Sequence, residues 1–343
     1  MRLSILIPLY NKEDYVDRCL QSLLDQDLPS TDYEIVIVDD GSKDSGPEIV
    51  AKYTEAHENI ILIRQENQGP SAARNNCLQA SQGTFLYFMD ADDYLASNVL
   101  QSLLQLCEEN KVEVLEFDTK ETTNDAPTDK QSKTLGKKPE VNVQDGLAYV
   151  AEHGFRNEAW RYFVHRNLLE KTGTKFIEGT LYEDAIFTAS LFLKTERMAK
   201  VALDIHRYVV VANSIVTSRD RAHNLKFIKG MVFAIEHFGG LINGLNSSDP
   251  NYQSVVNKLR GRQQALVFAL IVRTLKFRPI DFNELKAILE KLKTFGAYPI
   301  DSKIEGIVEG NSGKLYTLIF VPIFNNTFLL RLGMGLMRLI PGR

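Results

Sequence analysis

The sequence predicts an α/β protein: a mostly parallel sheet with helices on both faces, followed by a mainly helical region. Three observations predict it. Short apolar runs alternate with stretches of helical periodicity over the first 118 residues. The runs are continuously apolar rather than alternating apolar and polar, as in strands buried on both faces. Beyond His223 the strand patterns give way to long helical ones, in "NLKFIKGMVFAIEHF", "SVVNKLRGRQQALVFALIVRTL" and "DFNELKAILEKLKTF".

The elements follow in order. "LSILIP" (Leu3 to Pro8) is an apolar run stopped by proline and predicts a buried strand. Val16, Cys19, Leu20, Leu23 and Leu24 share one face of a helix over about Glu13 to Asp27. "EIVIVDDGS" is a second strand, ending in Asp39 and Asp40 with Gly41 as the turn, and a helix runs from about Ser45 to His57. "NIILIRQ" is a third strand. "NQGPSAARNNCLQAS" reads as a loop entering a helix with Pro70 in its first turn. "TFLYFMD" is a fourth strand, Ser97 an N-cap for a helix through about Glu109, and "VEVLEFD" a fifth strand. From Thr119 to Val143 the chain is polar and lacks aromatic residues, which predicts an exposed excursion. Strand and helix patterns mix again from Asp145 to about Ser218.

Length and composition set bounds. The chain has 343 residues, enough for two domains or one large domain with an appendage. Apolar residues make up 44% and charged residues 24%, an ordinary globular balance. A net charge of -4 excludes nucleic-acid binding by bulk charge. The cysteines, Cys19, Cys77 and Cys107, are odd in number and contain no CxxC, so no disulfide framework is expected and a reducing cytosol is the natural compartment. The first apolar run is too short for a signal peptide, and no segment offers the roughly 20 apolar residues of a membrane-spanning helix.

The carboxylates are the first clue to function. In open α/β sheets ligands bind beyond the carboxyl ends of the strands. Asp39 and Asp40 end one strand there, and Asp90 and Asp92 end another. Clustered carboxylates repel one another unless water, a basic side chain or a cation compensates. Asp90-Ala91-Asp92, delivered by an apolar strand, offers oxygen ligands of the kind that suit Mg²⁺ or Mn²⁺ together with substrate phosphates. Asp25-Gln26-Asp27 shares the spacing but lies at a helix end, where solvated surface acids are expected.

"ILIPLYNKEDYVDRCLQSLLDQ", "EIVIVDDGSKD", "NQGPSAARN" and "FMDADD", in this order, resemble the nucleotide-binding half of glycosyltransferase family 2, inverting enzymes with a GT-A fold. "EAWRYFVHRNLLEKTGTKFIEGTLYEDAIF" resembles the family's acceptor-side segment. The resemblance covers about residues 1–220, with a nucleotide-binding half over 1–118 and an acceptor-side half over 145–220. It leaves 221–343 as a helical C-terminal region. It implies that Pro8, Tyr10 and Asn11 line the nucleotide pocket and that Asp40, with Asp39 beside it, accepts hydrogen bonds from the base of a UDP-sugar. Arg74 would lie against the nucleotide or its diphosphate. Asp90 would touch the ribose or the metal shell, and Asp92 would ligate Mn²⁺ or Mg²⁺. Asp184 would be the catalytic base with Glu183 its neighbour, and Trp160 would form part of the acceptor platform. The implied partners are a nucleotide-sugar donor and a glycan or lipid-linked acceptor of cell-surface polysaccharide or glycolipid synthesis.

Departures from the pattern carry expectations of their own. No Q-x-x-R-W motif is present, so one sugar per acceptor visit is expected, as in the non-processive bacterial type. In "HRYVVVANSIVTSRD" valine or alanine stands where relatives place a basic residue before Ser-Ile, leaving His206, Arg207 or Arg219 to contact the diphosphate. A sugar nucleotidyltransferase would carry a glycine-rich loop after the first strand, and "IPLYNKED" has no glycine. A dinucleotide dehydrogenase would carry G-x-G-x-x-G, also missing. A non-catalytic module of the same fold would have lost Asp92 or Asp184, and both are present. Finally, residues 314–343 hold four basic residues and no acidic one, and "TFLLRLGMGLMRLI" puts Arg331 and Arg338 on one helical face amid leucines. That pattern predicts a peripheral contact of the tail, 315–343, with the cytosolic face of a membrane.

Overall fold

The computed structural model describes residues 1–124, 128–132, 139–210, 220–301 and 311–337. The chain divides into two compact units. One comprises Met1–Tyr149, Phe155–Gly179 and Glu183–Ala212; the other comprises Val150–Gly154, Thr180–Tyr182 and Asn213–Arg343.

The first unit is built on an eight-stranded sheet. Its strands are β1 (Leu3–Leu9), β2 (Tyr33–Asp39), β3 (Ile60–Arg64), β4 (Phe85–Phe88), β5 (Tyr94–Leu95), β6 (Val114–Thr123), β7 (Tyr162–His165) and β8 (Met198–Val210). Their order is β3-β2-β1-β4-β7-β6-β8-β5. The first four run parallel, and β6 is parallel to β8. β7 is antiparallel to both neighbours, and the short β5 is antiparallel to β8. The sheet is therefore mixed: parallel in the half that the apolar runs predict, antiparallel where β7 inserts. Helices α1 (Val16–Leu24), α2 (Gly46–Ala56), α3 (Pro70–Ala80) and α4 (Leu100–Asn110) connect the parallel strands. Leu3, Ile5, Ile7, Ile35, Ile37 and Tyr87 are fully buried in one core with Val16, Cys19, Leu20 and Leu23 of α1. That face of α1 is the one its periodicity predicts. The three cysteine thiols are free and buried.

Two local expectations change. Ser97 does not cap α4, which begins at Leu100. The caps come from the end of the preceding α1 segment: Gln26 Oε1 accepts from Val99 N at 3.0 Å and Asp27 Oδ1 from Gln101 N at 3.1 Å. Ser97 instead donates its hydroxyl to Asp25 at 2.8 Å. Asp25-Gln26-Asp27 is thus a long-range capping device, invisible to a local reading because its partners lie some seventy residues away. β6 also runs on through polar residues to Thr123, past Thr119, where the excursion is expected to begin. The ladder with β8 holds it, since backbone pairing needs no apolar side chain.

The rest of the first unit adds α5 (Gly146–His153), which ends in the second unit, then α6 (Arg166–Thr172) and α7 (Glu183–Phe192). The second unit is helical: α8 (Arg221–Asn243), α9 (Tyr252–Phe277), α10 (Phe282–Thr294), α11 (Asn311–Asn325) and α12 (Thr327–Met337). Its core gathers Ile228, Met231, Ile235, Leu270, Ile271 and Leu289. Asp281 and Glu284 form a capping box that starts α10. Among the described residues no single helix is long and apolar enough to cross a membrane, and α11 and α12 meet at a bend of 102°. Arg338 and Arg219 lie outside the described residues, as does the valine-alanine stretch before Ser214 from residue 211 on.

Candidate active site

The carboxyl ends of β1, β2 and β4 lie on one edge of the sheet because these strands are parallel and in register. β1 delivers Pro8 and then Tyr10 and Asn11, both exposed. Asn11 adopts a left-handed backbone, φ 52°. Its amide donates to Ser42 Oγ at 3.0 Å, and its Oδ1 accepts from Lys43 N at 2.8 Å. These bonds tie the loop after β1 to the turn after β2.

Asp39 and Asp40 are both buried. Asp39 Oδ1 accepts from Ser42 N at 2.9 Å, closing that turn. Asp40 accepts three bonds: from Gln65 Nε2 and Gln68 N at 2.7 Å and from Gly69 N at 2.8 Å. Expected to receive the base, the Asp40 carboxylate in this structure holds the loop that enters α3. Gly69, at φ 92°, supplies the turn that lets the chain approach it. Pro70 then opens α3, as its position in the sequence predicts.

Arg74, one turn into α3, is the centre of the site. Its side chain is 7% exposed. Nη2 donates to Asp90 Oδ1 at 2.9 Å; Nη1 lies 3.3 Å from Glu183 Oε1 and 3.0 Å from Asp184 Oδ1. Burial works against its charge, but Asp184, Asp90 and Glu183 outweigh burial and hold the guanidinium protonated. One arginine therefore joins the two acidic groups that lie about ninety residues apart in the sequence. Glu183 and Asp184 occupy the first turn of α7, where the helix dipole favours negative charge. Even so, burial pushes the Asp184 carboxyl up to about 7, with Glu183 and Asp90 adding to the rise and Arg74 opposing it. Asp184 Oδ1 accepts no well-formed hydrogen bond despite its closeness to Arg74.

At the end of β4, Asp90, Asp92 and Asp93 bring carboxylate oxygens within 4.8 Å of one another. They differ in role. Asp93 is buried, accepting from Val209 N at 2.8 Å and bonding His206 Nε2 at 2.9 Å. Asp90 and Asp92 remain partly open, at 31% and 18% exposure. The donor set fits a hard divalent cation: two accessible carboxylates with a third fixed behind them. Lys12, just past β1, pairs with Asp92 and is the nearest compensating charge.

Lys12, Asp93 and Tyr87 belong to a part of the site with no role assigned from the sequence, and His206 joins them in a role other than the expected one. Tyr87 OH and His206 Nδ1 are 2.7 Å apart, so β4 and β8 are joined by a buried Tyr-His-Asp chain. Burial holds the His206 pKa down to about 3, so the ring is neutral. The expectation that His206 or Arg207 contacts the diphosphate is corrected. Both are fully buried; His206 is committed to Asp93 and Tyr87, and Arg207 to Asp204 at 2.7 Å. Only the pairing of Asp93 with a strand more than a hundred residues away could have revealed this. Trp160 is 7% exposed, and its ring stacks on His206 at 4.5 Å and on Tyr208 at 5.3 Å. Tyr208, 37% exposed, is the open member of that stack.

A parallel α/β half carrying an acidic cluster at its strand ends, faced by a second acidic pair on a helix, defines a class, and the family model agrees with it. The model described as glycosyl transferase family 2 matches residues 4–182, and the chain belongs to that family. Among its relatives, the uncharacterized glycosyltransferase EpsJ of Bacillus subtilis is 33% identical over 217 residues, 62% of each chain. The poly(ribitol-phosphate) beta-glucosyltransferase of Bacillus spizizenii is 28% identical over 301 residues, 86% of this chain and 42% of that one. The chain thus spans less than two thirds of the length of these relatives. Among solved structures, S. aureus TarS 1-349 in complex with UDP-GlcNAc superimposes with a TM-score of 0.68 at 20% identity, over 99% of this chain and 92% of that one. That likeness carries the fold, a GT-A fold with a helical C-terminal region.

Proposed function

We propose that this chain is an inverting, metal-dependent glycosyltransferase. It would move one sugar from a nucleotide sugar, most simply a UDP-sugar, to a hydroxyl of a glycan or lipid-linked acceptor in cell-surface polysaccharide or glycolipid synthesis. The observation that carries the reading is the pairing of two acidic groups across Arg74. Asp90 and Asp92 stand at the strand edge where a donor diphosphate would lie, and Asp184 stands on the other side with its carboxyl raised. The UDP-GlcNAc bound to TarS and the poly(ribitol-phosphate) glucosyltransferase activity of the Bacillus spizizenii relative support it.

The chemistry follows from the residue types. A sugar hydroxyl is a poor nucleophile, so Asp184 Oδ takes its proton as the oxygen attacks the anomeric carbon. The bond from that carbon to the diphosphate oxygen breaks with its electron pair leaving on the diphosphate, and one displacement inverts the centre. Arg74 fixes the base and Asp90 relative to each other. Asp92, with Asp90, would hold Mn²⁺ or Mg²⁺, which when bound offsets the charge that the leaving diphosphate gains. Asp93, anchored by His206, keeps the turn that carries Asp90 and Asp92 in place. The direct test is a thermal-shift panel of nucleotide sugars with Mn²⁺, since donor binding raises stability by mass action. A shift with one UDP-sugar, followed by release of UDP on transfer, is expected. No shift with any nucleotide sugar would sink the reading.

The tail supports a peripheral membrane location on the cytosolic face. Val321, Phe324, Leu330 and Met334 are buried in the helical core, while Leu318, Ile319, Phe328, Leu329 and Leu332 are exposed at 41–71%. Arg331, exposed beside them, suits anionic headgroups. The full chain should float with phosphatidylglycerol vesicles and not with phosphatidylcholine ones. A Leu318→Ser, Phe328→Ser, Leu332→Ser variant should stay in the pellet fraction; equal flotation of variant and parent would refute the attachment.

A further inference from the structure

The acidic edge of the sheet does not end at Asp92. Register carries it across β7 to β6: Leu86 pairs with Val164, and Val114 pairs with Val164 from the other side. The residues just before β7, and those beyond Phe117 of β6, therefore lie on the same edge as Asp90, one and two strands over. At about 4.8 Å between strands, Asp118 of β6 stands roughly 10 Å from the end of β4.

There the surface opens into a cleft of about 470 Å³, lined by Asp118, Thr119, Lys120, Arg156, Arg161, Lys200 and Asp204. The β6–β8 ladder breaks register on both sides of Asp118, which is where the cleft forms. Four cations face two carboxylates in a protein whose net charge is -4. The carboxylates are already answered: Asp204 by the buried Arg207 beneath it, Asp118 by Lys200 at 3.6 Å. Lys120 is paired with Asp129. Two guanidinium groups remain: Arg156, and Arg161, whose one carboxylate neighbour, Glu116, is a long ion pair. Arg156 is exposed and makes no ion pair among the described residues. Arg161 is anchored by its Nη1 bond to Thr119 Oγ1 at 2.7 Å, while Glu116 stays 3.9 Å from its Nε, beyond hydrogen-bond range. That Nε is buried without a hydrogen-bond partner. Glu116 cannot close on Arg161 freely, because Tyr149 OH holds its other oxygen. The result is an anchored, partly exposed guanidinium beside an exposed arginine that makes no ion pair among the described residues, a pair of cations that suits an oxyanion with several acceptor oxygens.

From this we infer that the cleft binds an anionic group, a phosphodiester or a carboxylate, carried by the acceptor about one repeat unit from the hydroxyl that reacts. The inference rests on the transferase reading for the word acceptor, and on the cleft alone for the charge. Binding a remote anion here would hold the acceptor hydroxyl toward Asp184, using contacts far from the reacting atoms.

The test uses the full chain and three probes of equal length: an oligo(glycerol phosphate), an oligogalacturonate and a neutral maltooligosaccharide. Affinities are read by calorimetry for wild type, Arg156→Gln and Arg161→Gln, with UDP plus Mn²⁺ titrated separately into each. One anionic probe should bind, identifying phosphodiester or carboxylate as the source. Its affinity should fall about tenfold or more in each variant and fall again between 50 and 200 mM salt, with UDP affinity unchanged. Arg156 is exposed, so its variant remains informative if Arg161→Gln folds poorly. Equal binding of the neutral probe, no binding of either anionic probe, or unchanged affinity in Arg156→Gln overturns the inference. Failure of wild type to bind UDP while it binds an anionic probe would count against the transferase reading and leave the cleft standing.

Discussion

Asp184→Asn separates what the base does for catalysis from what it costs the fold. The substitution keeps the size of the side chain and removes its charge and its capacity to take a proton. Transfer should fall by about 10²–10⁴, the usual cost of losing a general base, with UDP affinity nearly unchanged. The stability effect has the opposite sign. A carboxyl raised from 3.8 to about 7 costs the folded state on the order of 4 kcal/mol once ionised. The penalty is absent below about pH 4, grows as pH rises, and is complete above about pH 7. The side chain is 25% exposed and Arg74 loses one of its three carboxylates, so about half of that gain should survive. The advantage of the variant over wild type in urea unfolding should therefore widen by roughly 1–2 kcal/mol between pH 5 and pH 8.5. For wild type, kcat/KM should decline below about pH 7, tenfold per pH unit. Unfolding curves for the two proteins that stay parallel across this range would refute the buried-base argument. Near-normal transfer in the variant would remove Asp184 from the mechanism.

Three further outcomes are expected. Asp92→Ala should abolish the Mn²⁺-dependent part of UDP binding in calorimetry; equal binding by mutant and wild type, with and without Mn²⁺, would reduce Asp90 and Asp92 to a structural turn. Arg74→Met leaves Asp90, Glu183 and Asp184 clustered without their shared cation, and should cost about 3–5 kcal/mol in denaturant unfolding at pH 8. The cost should shrink at pH 5 as the carboxyls protonate, whereas a pH-independent loss would point to packing alone. Asp27→Ala removes the acceptor for Gln101 N and should cost about 1 kcal/mol with transfer unaffected; no measurable change would show that water caps α4 equally well.

The sequence by itself determined the parallel half of the sheet and the edge where the candidate site lies. Continuous apolar runs ending in proline, glycine or aspartate can be read locally, because strand burial and turn chemistry depend on neighbours in the chain. Asp90 and Asp92 were legible for the same reason, since they end a strand, whereas Glu183 and Asp184 stood out only through the family resemblance. The tertiary structure alone decided how they are used. Arg74 became the bridge between them only because its side chain, carried on α3, reaches Asp90, Glu183 and Asp184 at once. His206 was withdrawn from the surface by Asp93 and Tyr87, and Asp40 holds the loop that enters α3. Asp27 became the cap of a helix far along the chain. Each of these is a hydrogen bond or ion pair between residues distant in sequence. The cationic cleft at Arg156 and Arg161 has the same origin: its charges are scattered over residues 118–204, and only the register of β4, β7, β6 and β8 gathers them on one edge. Periodicity reports which face of an element is buried; it carries no information about which charge from another element will meet it there.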